Sequence, residues 1–220
     1  MKKQEKEDLT DWKNISSGHI SNFKETAETI FAPVYKVLAR QVIHDYKISE
    51  GVCVDIGSGT GGFACEIAKI SDMTVYALDI RNEMVELMKG KIKEENLTGR
   101  VIPKIGDVHA LPFDCGFADL IVSRGSFHFW SDKRKAFSEI YRVLKRGGIG
   151  FVGGGFGRDE DVRKKAVKLH EEAFRNMNSG RGFDETLKIR YDELHAILRN
   201  LPDFKIIFDE SGLWVEIRKQ

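Results

Sequence analysis

Along the middle of the chain, short apolar runs bounded by glycine alternate with stretches whose apolar residues recur every three to four positions. Val52-Cys53-Val54-Asp55-Ile56 lies between Gly51 and Gly57 and reads as a buried parallel strand. Residues 62–70 read as helix, 74–78 as strand, 82–95 as helix, 101–105 as strand, 106–114 as loop and 118–123 as strand. A helix over 132–145 carries Ala136, Phe137, Ile140, Tyr141 and Leu144 on one face, with Gly147-Gly148 expected to stop it. Ile149–Val152 is the next strand, running into the glycine-rich Gly153–Gly157. Helices are expected at 159–177, with Val162, Ala166, Leu169, Ala173 and Met177 on one side, and at about 191–200.

At the two ends the texture differs. Residues 1–18 are polar and of mixed charge, an arm without period, and 20–46 are helical with an interruption at Pro33, which should end one helix or open the next at its first turn. The last predicted elements, strands 204–209 and 213–218, are joined by Glu210-Ser211-Gly212, which fits only an antiparallel hairpin. Strands alternating with long helices give a parallel sheet covered on both faces. The fold class is therefore α/β, a doubly wound, mostly parallel sheet with one antiparallel strand near its end.

Composition narrows the function classes. With 35 Lys+Arg against 34 Asp+Glu in 220 residues, the net charge of +1 lacks the basic excess of a nucleic-acid binder. The clusters Lys133-Arg134-Lys135 and Arg163-Lys164-Lys165 sit beside acids and read as solvated helix faces. Three cysteines, Cys53, Cys65 and Cys115, have no metal or redox spacing. They suit reduced thiols in a cytoplasmic protein, with no signal peptide, no membrane span and no bound metal expected.

In an open α/β sheet the ligand lies beyond the carboxyl ends of the strands. The first strand exits through Asp55-Ile56-Gly57-Ser58-Gly59-Thr60-Gly61-Gly62, where glycines permit a tight turn and the next helix presents free N–H groups. Gly57, Gly59 and Gly62 also satisfy the G-x-G-x-x-G pattern of dinucleotide sites. Asp79 ends the second strand, placed to accept bonds from both hydroxyls of a ribose. At this point the ligand is an adenosine-containing molecule, and a dehydrogenase and a methyltransferase both remain open. Asp55, just before the glycines, would repel a pyrophosphate but suit a cationic cofactor. Asp107 is placed to meet an adenine amino group, with Ile80 and Val108 on either side of the ring.

On Val52–Gly61, Asp79, Gly106–Phe113 and Phe137–Gly148, in that order and spacing, the sequence resembles the class I S-adenosylmethionine-dependent methyltransferases. The resemblance is to their small-molecule branch, which includes ubiquinone/menaquinone methyltransferases, and it covers roughly residues 50–155. It implies a seven-stranded Rossmann-like sheet and S-adenosylmethionine as cofactor, with S-adenosylhomocysteine as product. Carried over by position, it puts Gly57, Ser58, Gly59 and Gly61 against the methionine moiety and Asp79 on the ribose. Ile80 packs on adenine, Asp107 and Val108 hold its polar edge, and the Ser123 carbonyl meets the methionine amino group. The whole chain is then one methyltransferase domain: residues 1–46 closing over the site, 50–155 binding cofactor, and 156–220 supplying variable helices and the hairpin.

For the acceptor, attention falls on Ser123-Arg124-Gly125-Ser126-Phe127-His128-Phe129-Trp130, after the fourth strand. His128 is the candidate base, needed only if the nucleophile carries a proton. Phe127, Phe129 and Trp130 are candidate walls, Arg124 a candidate anion contact, and Tyr35 a candidate contact from the N-terminal segment. Core packing is the competing reading for the aromatics. A small-molecule acceptor is expected, its identity and the oligomeric state being unreadable. Methylation of a protein or RNA, and non-catalytic binding of S-adenosylmethionine, are the rival functions.

Overall fold

The computed structural model describes residues 24–174, 191 and 193–220. The expected arm at 1–18 and the end of the helix carrying Met177 lie outside the described residues. Helix α1, Ala32–Tyr46, continues directly from a π-helical segment, Ala27–Phe31. Pro33, expected to end one helix or to open the next at its first turn, does the second: it lies in the first turn of α1, where the missing N–H costs nothing. There follow β1 Val52–Ile56, α2 Gly62–Lys69, β2 Thr74–Asp79, α3 Asn82–Glu94, β3 Val101–Ile105 and β4 Ala118–Arg124. A 3₁₀ turn, Phe127–Phe129, leads to α4 Lys133–Val143, β5 Leu144–Gly155 and α5 Glu160–Phe174. The chain continues through a short helix at 193–198 to β6 Phe204–Asp209 and β7 Gly212–Arg218.

The seven strands lie in the order β3-β2-β1-β4-β5-β7-β6. β7 is antiparallel to both of its neighbours and the remaining pairings are parallel. Alternation along each strand sends successive side chains to opposite faces. Cys53, Val75, Leu120 and Phe151 pack under α1 and α2, whereas Val54, Ile121, Val152 and Val215 pack under α4. On α4 the buried Ala136, Phe137, Ile140 and Val143 form the apolar stripe, and Phe137 and Ile140 each contribute roughly 2 kcal/mol by burial.

One expected boundary is corrected. Gly147-Gly148 does not stop α4: the helix ends at Val143, and Leu144, already extended, opens β5. The two glycines lie in an irregularity of that strand, where pairing jumps from Ala118↔Leu144 to Leu120↔Ile149. Of the glycine-rich 153–157 run, residues 153–155 belong to β5. Gly153 and Gly155 lie so close to β7 that a Cβ would overlap the carbonyl oxygens of Leu213 and Ser211.

Candidate cofactor and acceptor site

Strand order reverses between β1 and β4, so the crevice belongs at the carboxyl ends of these strands and of β2. Gly57, Gly59 and Gly61 leave β1 with φ of +66°, +57° and +82°, a region that favours glycine. Gly61 then caps α2. The Ser58 N–H donates to the Leu78 carbonyl at 2.8 Å, and the Gly59 N–H donates to Asp79 Oδ2 at 3.0 Å. The Arg81 N–H donates to Asp79 Oδ1 at 3.0 Å. One carboxylate thus ties the glycine loop to the end of β2, and each oxygen retains a second lone pair.

Asp55 is only 1% exposed. Burial pushes its carboxyl up to about 7, the Ser58 hydroxyl and Ala64 amide opposing the rise and nearby Asp79 adding to it. Ser58 Oγ donates to Asp55 Oδ2 at 2.6 Å. Burial also raises the Asp79 carboxyl, against the Arg81 and Gly59 amides that favour its charge. Two acids held this way beneath a loop of N–H groups make a place where added positive charge is welcome.

Beside Asp79 a cleft of about 460 Å³ is lined by Ile80–Glu83 and Ile105–Asp107. Ile80 presents an apolar side chain there at 36% exposure, and Asp107 Oδ1 accepts from both the His109 N–H, at 2.9 Å, and the His109 ring, at 2.6 Å. Val108 is not in the cleft lining; it is buried in the core under α4. Arg142 and Glu139 of α4 brace the same loop. Arg142 donates to the carbonyls of Phe113 and Leu111, and Glu139 accepts from the Leu111 N–H.

On the β4 side, Ser123 Oγ donates to the Ile56 carbonyl at 2.7 Å and lies 2.6 Å from Ser126 Oγ. Ser126 packs where a Cβ on Gly57 would stand. Phe127 and Trp130, expected as pocket walls, are 2% and 6% exposed; they pack edge-on with each other, and Trp130 packs edge-on against Phe137. His128 is half-buried, with Nε2 over Gly154, where a Cβ would come within 3.3 Å of it. Tyr35 is a core tyrosine whose ring stacks on Phe63 and closes over Gly62, where a Cβ would be 2.7 Å away. Arg124 has no acidic partner among the described residues; its Nε donates to the Gly155 carbonyl at 3.1 Å and its guanidinium lies on Phe31. Sequence reasoning missed Ser126, His109 and Arg81. Of these only Ser126 left a trace, a serine three residues beyond Ser123 and opposite the glycine loop.

A methyltransferase-domain family model matches residues 54–152. The ubiquinone/menaquinone biosynthesis C-methyltransferase of Geobacter sp. (strain M21) is 32% identical over 100 residues, 44% of this chain and 43% of that protein. The 2-methyl-6-phytyl-1,4-hydroquinone methyltransferase of Spinacia oleracea is 40% identical over 96 residues, 43% of this chain and 27% of that protein. The chain therefore spans less than half the length of these curated relatives. A Methanococcus maripaludis protein presented as an S-adenosyl-L-methionine-dependent methyltransferase is similar throughout. It is 34% identical, with 100% of this chain and 97% of that chain covered at a TM-score of 0.85. A methyltransferase from Aquifex aeolicus shares the fold at a TM-score of 0.63 and 18% identity, covering 93% of this chain and 100% of that one. With the glycine loop, the bridging Asp79 and a relative matched over nearly its full length, the chain belongs to the S-adenosylmethionine-dependent methyltransferase family.

Proposed function

We propose that this protein transfers the methyl group of S-adenosylmethionine to a small-molecule acceptor. The observation that carries the reading is the Asp79 carboxylate, which bridges the glycine loop and the end of β2 beside a cleft with an exposed apolar wall. Ribose hydroxyls would use the remaining lone pairs of Asp79, adenine would lie on Ile80, and Asp107 would take its amino group. Gly57, Ser58, Gly59 and Gly61 would pass along the methionine moiety, as would the Ser123 carbonyl. Asp55 would supply negative charge near the cationic end, and Val108 would support the adenine loop from below.

Bound there, S-adenosylmethionine supplies an electrophilic methyl group on a positively charged sulfur. The chain's own contribution is alignment, which can supply several kcal/mol, up to about 7–11 in ideal cases. His128, at the carboxyl edge over Gly154, would take the proton if the acceptor nucleophile carries one. Arg124, Tyr35, Phe127 and Trp130 would shape the acceptor side, the last two as the packed floor of the His128 turn.

Relatives named for quinone and hydroquinone methylation favour a small acceptor over a macromolecule. Among the described residues no helix is long and apolar enough to cross a membrane. The free thiols of Cys53, Cys65 and Cys115 support a cytoplasmic placement.

Calorimetric titration with S-adenosylmethionine, S-adenosylhomocysteine and NAD tests the cofactor. Micromolar binding of the first two is expected. It should weaken about a hundredfold in Asp79→Asn, two charge-assisted hydrogen bonds at about 1.5 kcal/mol each. Binding of NAD alone would return the glycine loop to the dinucleotide class.

A further inference from the structure

Arg124 is the last residue of β4, at the edge where the predicted acceptor loop begins. Its guanidinium carbon lies 3.8 Å from the centre of the Phe31 ring, 5.6 Å from Phe156 and 5.9 Å from Tyr35. The His170 ring packs against both Phe31, at 6.0 Å, and Phe156, at 5.8 Å. The π segment with α1 and the exit of β5 thus wall this cation at the end of β4, with α5 packed behind them through His170.

Among the described residues this box holds no negative charge. No carboxylate among the described residues forms an ion pair with Arg124; its polar partners are the Gly155 carbonyl and the Tyr35 phenol. A half-buried cation without a counter-charge is costly, and ring faces offset only part of that cost. If the residue served only to pin α1 to the sheet, an apolar side chain would do so without the desolvation penalty. A guanidinium is by its own bonding a planar fork, suited to receiving two oxygens of one oxyanion. The box adjoins the cofactor loop, because Tyr35 lies both against Arg124 and against Gly62.

We infer that Arg124, walled by Phe31, Tyr35 and Phe156, is the receptor for an oxyanion on the methyl acceptor, which is therefore a small carboxylate or phosphate compound with an apolar body. The inference rests on the small-molecule methyltransferase reading above and specifies its substrate class. A neutral, wholly apolar acceptor would leave the cation unpaired in the closed site.

The test uses the full chain saturated with S-adenosylhomocysteine, titrated by calorimetry with benzoate, inorganic phosphate and the neutral isostere benzamide. Benzoate or phosphate should bind at millimolar concentration, with benzamide about tenfold weaker or undetectable. Binding of benzoate but not phosphate marks a carboxylate acceptor, and the converse marks a phosphate. Arg124→Met should erase the preference for the anion, and Arg124→Lys should retain part of it, with thermal unfolding reporting that each variant folds. The wild-type comparison of benzoate with benzamide stands even if a variant fails to fold. Equal binding of charged and neutral ligands, binding of none of them, or anion preference persisting in folded Arg124→Met would overturn the inference. Failure of the wild type to bind S-adenosylhomocysteine at all would instead overturn the cofactor reading beneath it.

Discussion

Asp55 couples the site to pH. Its carboxyl rises from 3.8 to about 7 on folding, so between those values the folded chain holds a proton that the unfolded chain has released. The contribution of Asp55 to stability therefore falls as pH rises through that window, by about 4 kcal/mol, and is constant above it. Chemical denaturation of Asp55→Asn should show that slope removed. Binding of a cationic cofactor runs the other way, because it favours the carboxylate. Affinity for S-adenosylmethionine should increase with pH up to about 7 and then level off, with proton release measurable by calorimetry in buffers of different ionisation enthalpy. Gly155 makes a second residue-scale case. A Cβ there meets the backbone of Ser211, which cannot swing aside, so Gly155→Ala should lower unfolding free energy by about 1–3 kcal/mol. Asp55 was legible in the sequence because an acid beside a glycine turn is a local pattern, and Asp79 because it ends the second apolar run. The bond from the Gly59 N–H to Asp79 was not, since it joins residues that only the β1–β2 pairing brings together.

At the scale of elements, the 106–113 loop, proposed above to meet adenine, is held by α4 rather than by its own residues. Arg142 spans the Leu111 and Phe113 carbonyls while paired with Glu139, which in turn accepts from the Leu111 N–H. Arg142→Ala should release residues 106–113, costing about 1–3 kcal/mol in stability. It should weaken S-adenosylhomocysteine severalfold, while ligand-free far-ultraviolet dichroism stays unchanged. The β/α alternation that builds this arrangement was readable from hydrophobic periodicity, and predicted strand 101–105 coincides with β3. The limits of α4 and β5 were not readable. Leu144 continues the helical spacing of Ile140 and Tyr141, yet pairing with Ala118 draws it into the sheet. Phe127 and Trp130 illustrate the same ambiguity, for aromatic residues after a strand look alike in sequence whether they wall a pocket or fill the space under a helix.

At the scale of the molecule, the sheet is completed by its last strand. β7 lies between β5 and β6 although it follows both along the chain. It packs Trp214 against Phe151, ring centres 4.4 Å apart, on one face and buries Leu213, Val215 and Ile217 on the other. Removing residues 212–220 should leave the Phe204–Asp209 strand without a neighbour and β5 with one bare edge. The expected outcome is an insoluble product, read by partition between supernatant and pellet after expression. A soluble, cofactor-binding truncation would show that the hairpin is dispensable. Spatial order and synthesis order are thus reversed at this side of the sheet. On the ribosome, β6 leaves the exit tunnel before the strand that holds it exists, and the nascent chain carries an unmatched strand until Arg218 has emerged. Chaperones that shield bare strands have their opportunity in that interval, and a pause in translation between Asp209 and Gly212 would lengthen it.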